Sequence, residues 1–179
     1  MANFENLLAR LIEQQVEFVV VGGFAATAYG STLLTQDLDI CLRFSTDNLM
    51  RLQEALADLH PVHRMAPRRL PLRLTPETCR DLKNLYLDTD LGQLDCLGTI
   101  QGVGDFEQVK EHSVEIPLAA GLCRILDLDA LIRSKEAMGR PRGRESALQL
   151  KAIRDRSRQQ KPPLGRRRLN TTFAVSSSA

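Results

Sequence analysis

Residues 22–40, GGFAATAYGSTLLTQDLDI, decide the fold. Side chains i and i+2 of a strand point to one face. If DLDI is extended, Asp37 and Asp39 project together, and Leu38 and Ile40 face the other way into a core. Ile40, Cys41 and Leu42 continue the apolar run with no helix signal, so residues 37–42 read as a strand. Two carboxylates side by side raise each other's pKa unless a cation neutralises them. Mg2+ suits that pair: a hard ion that takes one or two protein carboxylates and fills its other positions with water and substrate phosphate.

Upstream, residues 18–21 are a short aromatic and β-branched run ended by Gly22-Gly23, the mark of a buried strand. Residues 24–29 predict a short helix closed by Gly30. Glycines between a strand and a helix let backbone approach a ligand closely, and N–H groups at a helix start favour phosphate. This is not the GxGxxG dinucleotide pattern, since no third glycine opens the helix. Phosphate beside a carboxylate-bound cation points to phosphoryl or nucleotidyl transfer.

A third carboxylate would complete a two-ion site. Asp95, in LGQLDCLG (91–98), is the candidate: its neighbours Leu94, Cys96 and Leu97 are apolar, so an unpaired charge there is costly and a cationic partner is expected. A second DLD, residues 127–129, reads differently. It directly precedes ALIRSKEAM, where helix capping and the helix dipole account for it.

Elsewhere, residues 3–15 predict a helix capped by Asn3, with Leu7, Leu8, Leu11 and Ile12 on one face. Residues 46–59 predict another, capped by Thr46. Residues 60–82 hold four prolines and five arginines and predict loop with one short strand or helical turn. Residues 82–89 and 91–97 read as strands joined in a hairpin at Asp90-Leu91-Gly92. A short helix over 105–111, strands over 114–117 and 122–126, and helices over 129–138 and 143–159 complete the pattern. Strands interleaved with helices indicate an α+β fold: a mixed β-sheet with helices packed against it and helices at the C-terminal end.

The 179 residues suit one domain, here 1–160, with 161–179 expected to be a basic, disordered tail. A 43% hydrophobic content supports a real core, and with no Trp and 4% aromatics that core should be aliphatic. Four scattered cysteines without a CxxC pair argue against a zinc ribbon or disulfide framework and suit buried thiols in a reducing cytoplasm. The amphipathic N-terminus lacks the basic-then-apolar order of a signal peptide. No apolar run approaches the ~20 residues of a membrane span, so a cytoplasmic protein with no membrane partner is expected. Between Arg140 and Leu169 stand eleven Lys and Arg against Glu145 and Asp155, a basic arm suited to an anionic partner.

Taken together, VVVGGFAATAYGSTLLTQDLDI (19–40), LGQLDCLG (91–98) and LIRSKEAMGRPRGRESALQLKAI (131–153) resemble the nucleotidyltransferase fold of the DNA polymerase beta superfamily. The likeness is greatest to its small prokaryotic members, the minimal nucleotidyltransferases and abortive-infection toxin-type enzymes. The resemblance implies that Gly22 and Gly23 hold the triphosphate of an NTP such as ATP. It implies that Asp37 and Asp39 bind both of two Mg2+ ions, and that Asp95 is the third carboxylate, helping to activate the attacking hydroxyl. Lys135 matches a basic position that touches phosphate, and Arg140 lies in the same turn. Ser31-Thr32-Leu33-Leu34 stands where relatives often carry an arginine.

The function so implied is Mg2+-dependent transfer of an NMP from an NTP to a hydroxyl of RNA (tRNA) or protein, with a toxin–antitoxin or phage-defence pair as the implied setting. The alternative is a non-catalytic, antitoxin-like binding protein on the same fold. A small-molecule modifier, such as an antibiotic nucleotidyltransferase, is expected to need a larger acceptor-binding domain than this chain offers.

Overall fold

The computed structural model describes residues 3–160. The predicted tail over 161–179, and with it the end of the basic arm, lies outside the described residues.

Helix α1 (Phe4–Glu13) starts where Asn3 accepts a hydrogen bond from the Asn6 N–H at 3.1 Å. It buries Leu7, Leu8 and Leu11 of the stripe read from the sequence, and leaves Ile12 partly buried. Strand β1 (Phe18–Val20) leads into α2 (Gly22–Ala28), and β2 (Asp37–Leu42) has the predicted bounds. Gly22 and Gly23 do not form a turn ahead of α2; they are its first two residues. Helix α3 (Thr46–Ala55) is capped by Ser45, whose hydroxyl accepts from the Asn48 N–H. Thr46 is thus the first helical residue and not the cap. A 3-10 turn (Ala57–Leu59) ends this region, so the predicted single helix breaks near Leu56.

The proline- and arginine-rich stretch contains both of the elements offered for it, β3 (Val62–His63) and α4 (Pro76–Cys79). Strands β4 (Asn84–Thr89) and β5 (Gly92–Leu97) form the predicted hairpin, Thr89 opposite Gly92. Two short strands not foreseen, β6 (Thr99–Ile100) and β7 (Gly104–Asp105), pair with each other. They are too short to leave a periodic signal. Helix α5 (Phe106–Glu111) follows with Asp105 in a capping box. Then come β8 (Ser113–Leu118), β9 (Gly121–Leu126), α6 (Leu128–Ala137) and α7 (Pro141–Gln160). Asp127 caps α6, accepting from the Ala130 N–H at 2.7 Å, as the second DLD predicts.

Seven strands form one mixed sheet in the order β3-β4-β5-β2-β1-β9-β8. The β2/β5 and β1/β9 pairs are parallel and the rest antiparallel. Leu38 and Ile40 of β2 and Leu94 of β5 are fully buried in a core shared with Leu7, Leu8 and Leu11 of α1 and Leu49, Leu52 and Leu56 of α3 and its end. That aliphatic core, the dominant favourable term in folding, fixes which face of β2 and β5 is left for polar groups. All four cysteines are free and buried. No helix among the described residues is long and apolar enough to cross a membrane.

Candidate active site

In the parallel pair, Asp37 stands opposite Gln93 and Asp39 opposite Asp95. Alternation turns Leu38, Ile40, Leu94 and Cys96 into the core. The same alternation brings Asp37, Asp39 and Asp95 onto one face, where each offers an oxygen within 4.8 Å of the others. The structure therefore assembles the three carboxylates that the sequence singled out separately.

Their electrostatics record the crowding. Burial, and then the neighbouring Asp37, push the Asp39 carboxyl up to about 6; Lys135 pulls it down, Asp95 pushes it up, and a hydrogen bond from the Gly23 N–H pulls it down. Burial also raises the Asp95 carboxyl, against the opposing charge and hydrogen bond of Arg64. Asp37 is held differently: the Thr35 hydroxyl lies 3.0 Å from both Asp37 Oδ1 and the Asp37 carbonyl. A cluster of hard oxygen donors, two of them shifted upward first by burial and then by neighbouring carboxylates, fits a hard divalent cation.

Gly22 and Gly23 sit beside this cluster for a steric reason. Gly22 has φ +66, and a Cβ there would lie 1.9 Å from Asp39 Oδ2; one on Gly23 would lie 2.5 Å from Thr35 Oγ1. The absent side chains make room for the strand that carries the carboxylates. The Gly23 N–H is directed to Asp39, a use that the sequence reading did not foresee.

A cavity of about 220 Å3 opens from Asp37 and Asp39. Lys135 of α6, Arg140 of the α6–α7 turn, Leu34 and Met138 line it. Lys135 and Arg140 therefore reach the same cavity as two of the carboxylates. Gly143 lets α7 start close to α6, since a Cβ there would be 2.9 Å from the Lys135 carbonyl. Ser31, in the stretch without the arginine, is buried and donates to Gln149 Oε1 of α7 at 2.6 Å. Gln149 Nε2 in turn donates to Thr32 Oγ1 at 2.9 Å. Helix α7 thus fastens one wall of the cavity.

Two further residues touch the carboxylates and were not foreseen by number: Thr35 and Arg64. Thr35 stands two residues before Asp37 in the stretch TQDLD (35–39). Arg64 was anticipated only as an unnamed cationic partner for Asp95, because it comes from the loop-like region where periodicity is silent.

The mixed sheet with its flanking helices matches the nucleotidyltransferase fold. Two solved structures are similar to this chain. One is the solution structure of the antibiotic-resistance factor ANT(2'')-Ia, with TM-score 0.52 and 14% identity, covering 87% of this chain and 89% of that one. The other is the crystal structure of ANT(2'')-Ia in complex with adenylyl-2''-tobramycin, with TM-score 0.50 and 14% identity, covering 87% and 96%. The likeness is one of fold. No protein-family model and no curated protein sequence matches the chain.

Proposed function

We propose that the chain is a metal-dependent nucleotidyltransferase that moves an NMP from an NTP to an acceptor hydroxyl. One observation carries this reading: on a nucleotidyltransferase fold, Asp37 and Asp39 of β2 and Asp95 of β5 converge within 4.8 Å of one another, and Asp37 and Asp39 line a cavity that Lys135 also lines.

Asp37, Asp39 and Asp95 would hold Mg2+, two ions in the fullest form of this reading. When bound, the metal supplies charge neutralisation for the phosphates and acidifies the attacking hydroxyl. The chain's own residues do the rest. Asp37 is fixed by the Thr35 hydroxyl, and Asp39 is set by the Gly23 N–H. Asp95, on the neighbouring strand, is the carboxylate assigned to accept the acceptor's proton. Lys135 is assigned to the triphosphate with the backbone of Gly22 and Gly23, and Arg140 is near enough to assist. Catalysis then rests on positioning and charge, with no covalent intermediate on the protein.

The acceptor is assigned as a hydroxyl of RNA, such as tRNA, or of a protein, with a toxin–antitoxin or phage-defence pairing as the setting. Exposed Arg68 and Arg73, on the segment that follows β3, support an anionic acceptor. A second reading is favoured by a specific observation. This chain covers 89% and 96% of two ANT(2'')-Ia structures, one of them solved with adenylyl-2''-tobramycin. A fold of this size accommodates a small polyhydroxylated ligand in that protein, so chain length does not exclude a small-molecule acceptor here, contrary to the expectation from sequence.

The test incubates purified full chain with Mg2+ and each α-labelled NTP, in parallel with tRNA, a protein extract and tobramycin. Label on one acceptor class, absent from an Asp37→Ala/Asp39→Ala variant, supports transfer and selects the acceptor. An active double variant would sink the assignment. No label anywhere, with tight binding to a neighbouring gene's product, would replace it with the non-catalytic binding protein.

A further inference from the structure

Arg64 follows β3 directly and turns back toward the carboxylates. Its backbone N–H donates to the Tyr86 carbonyl at 2.8 Å, which anchors its Cα beside β4. One guanidinium nitrogen pairs with Asp95 Oδ1. The other donates to Gln93 Oε1 at 3.1 Å, and the guanidinium carbon lies 6.0 Å from the centre of the Tyr86 ring. The side chains of Arg64 and Asp95 are only 25% and 12% exposed, so the pair is largely withdrawn from water. Arg64 Nε is buried without a hydrogen-bond partner. A full positive charge therefore sits on one member of a three-carboxylate cluster.

We propose that Arg64 is a displaceable counter-ion of this cluster: it holds Asp95 in the free chain and competes with a divalent cation for that carboxylate. This rests on the reading of Asp37, Asp39 and Asp95 as metal ligands. Its consequence is an ordered site. Among the described residues no arginine forms an ion pair with Asp37 or Asp39, whereas an ion engaging Asp95 must overcome the repulsion of a guanidinium in contact with its ligand. The ion position at Asp95 fills last and most weakly.

The local geometry suits displacement. Because the backbone of Arg64 is fixed by the Tyr86 carbonyl, release requires only side-chain rotation, with no movement of β3. The unpartnered Nε carries a desolvation cost in the paired geometry that is relieved when the guanidinium reaches water. Gln93 and Tyr86 then mark where the guanidinium returns when the ion leaves. Without the arginine, three carboxylates would face one another in the free chain with less cationic compensation, so the same residue keeps the empty cluster tolerable and regulates its loading.

The test is a Mn2+ titration of the full chain without NTP, following free Mn2+ by electron paramagnetic resonance. The wild type is expected to show a stronger and a weaker class of site. Arg64→Gln removes the competing charge and should tighten the weaker class by about tenfold, and Arg64→Lys, which keeps a charge, should return it toward wild type. In an Asp95→Asn background the Arg64→Gln effect should vanish. Arg64→Met, which keeps an aliphatic stem near Tyr86, gives the same reading if Arg64→Gln does not fold. A folded Arg64→Gln or Arg64→Met chain that binds Mn2+ no tighter than wild type overturns the proposal. A wild-type chain that binds no Mn2+ overturns the metal site itself, a different and distinguishable failure.

Discussion

Gly22 lies so close to Asp39 that a Cβ at position 22 would stand 1.9 Å from the carboxylate oxygen Oδ2. The first residue of α2 and the second carboxylate of β2 are thus one steric unit. Gly22→Ala must move Asp39 or the start of α2, and it must also place alanine at φ +66. The expected cost is about 2–4 kcal/mol from left-handed backbone and overpacking together. Thermal unfolding measures it. A Gly22→Ala chain with wild-type stability and activity would show that the close approach has no consequence.

The carboxylates themselves give the second expectation. Asp37→Ala or Asp39→Ala should reduce nucleotidyl transfer about a thousandfold or more, the loss expected when several kcal/mol of metal-borne charge stabilisation disappear. The fold should survive, because neither side chain belongs to the aliphatic core. Turnover of labelled NTP, with circular dichroism as the folding control, checks both parts.

Asp39 also sets a pH dependence. Its carboxyl is raised from 3.8 to about 6 in the folded chain. Between those values the folded state holds a proton that the unfolded state has lost, so stability falls as pH rises through this window. The contribution is on the order of 3 kcal/mol at most. Asp39→Asn should flatten that part of the profile and make the metal-free chain more stable than wild type at pH 7.5, with little difference at pH 4. Divalent cations bind the deprotonated carboxylate, so they should stabilise the wild type far more at pH 7.5 than at pH 5. Thermal melts of both chains, in chelator and in Mn2+, test these signs.

Thr35 anchors Asp37 through a 3.0 Å hydroxyl contact. Thr35→Val removes the donor and keeps a similar shape. Groups that orient a ligand in this way typically contribute about 10–100-fold to metal affinity. Thr35→Val should therefore weaken Mn2+ binding by roughly tenfold with a small loss of stability. Isothermal titration of Mn2+ is the measurement, and unchanged affinity would remove Thr35 from the site.

The sequence made the carboxylate strand legible down to its ends because period-2 alternation is strong where one face is core and the other polar. Asp95 was legible for the same reason, as a charge among apolar neighbours, and its expected cationic partner exists. The identity of that partner was not legible. Arg64 is 31 residues away, after a two-residue strand, and such contacts leave no periodic trace. The glycine pair was read as a link between a strand and a helix, whereas it forms the first two residues of α2; its steric relation to Asp39 and Thr35 depends on tertiary packing that no local pattern encodes. Ser45 displaced Thr46 as cap because adjacent hydroxyl residues compete for one role and sequence does not rank them.

The two DLD stretches separate local from tertiary function. Asp127 accepts from the Ala130 N–H at 2.7 Å and caps α6, while Asp129 pairs with Arg154 and Arg158 of α7. These are structural contacts on a part of the chain distinct from the carboxylate cluster. Asp127→Ala should cost about 1 kcal/mol of stability, the usual value of a helix cap, and leave transfer at saturating NTP within about twofold of wild type. Asp37→Ala should show the reverse pattern, stability nearly kept and activity lost. The same three letters thus make opposite predictions, because one DLD runs along a strand beside Asp95 and the other ends at the first turn of a helix. If both variants lose activity alike while folded, the distinction drawn from strand and helix context fails.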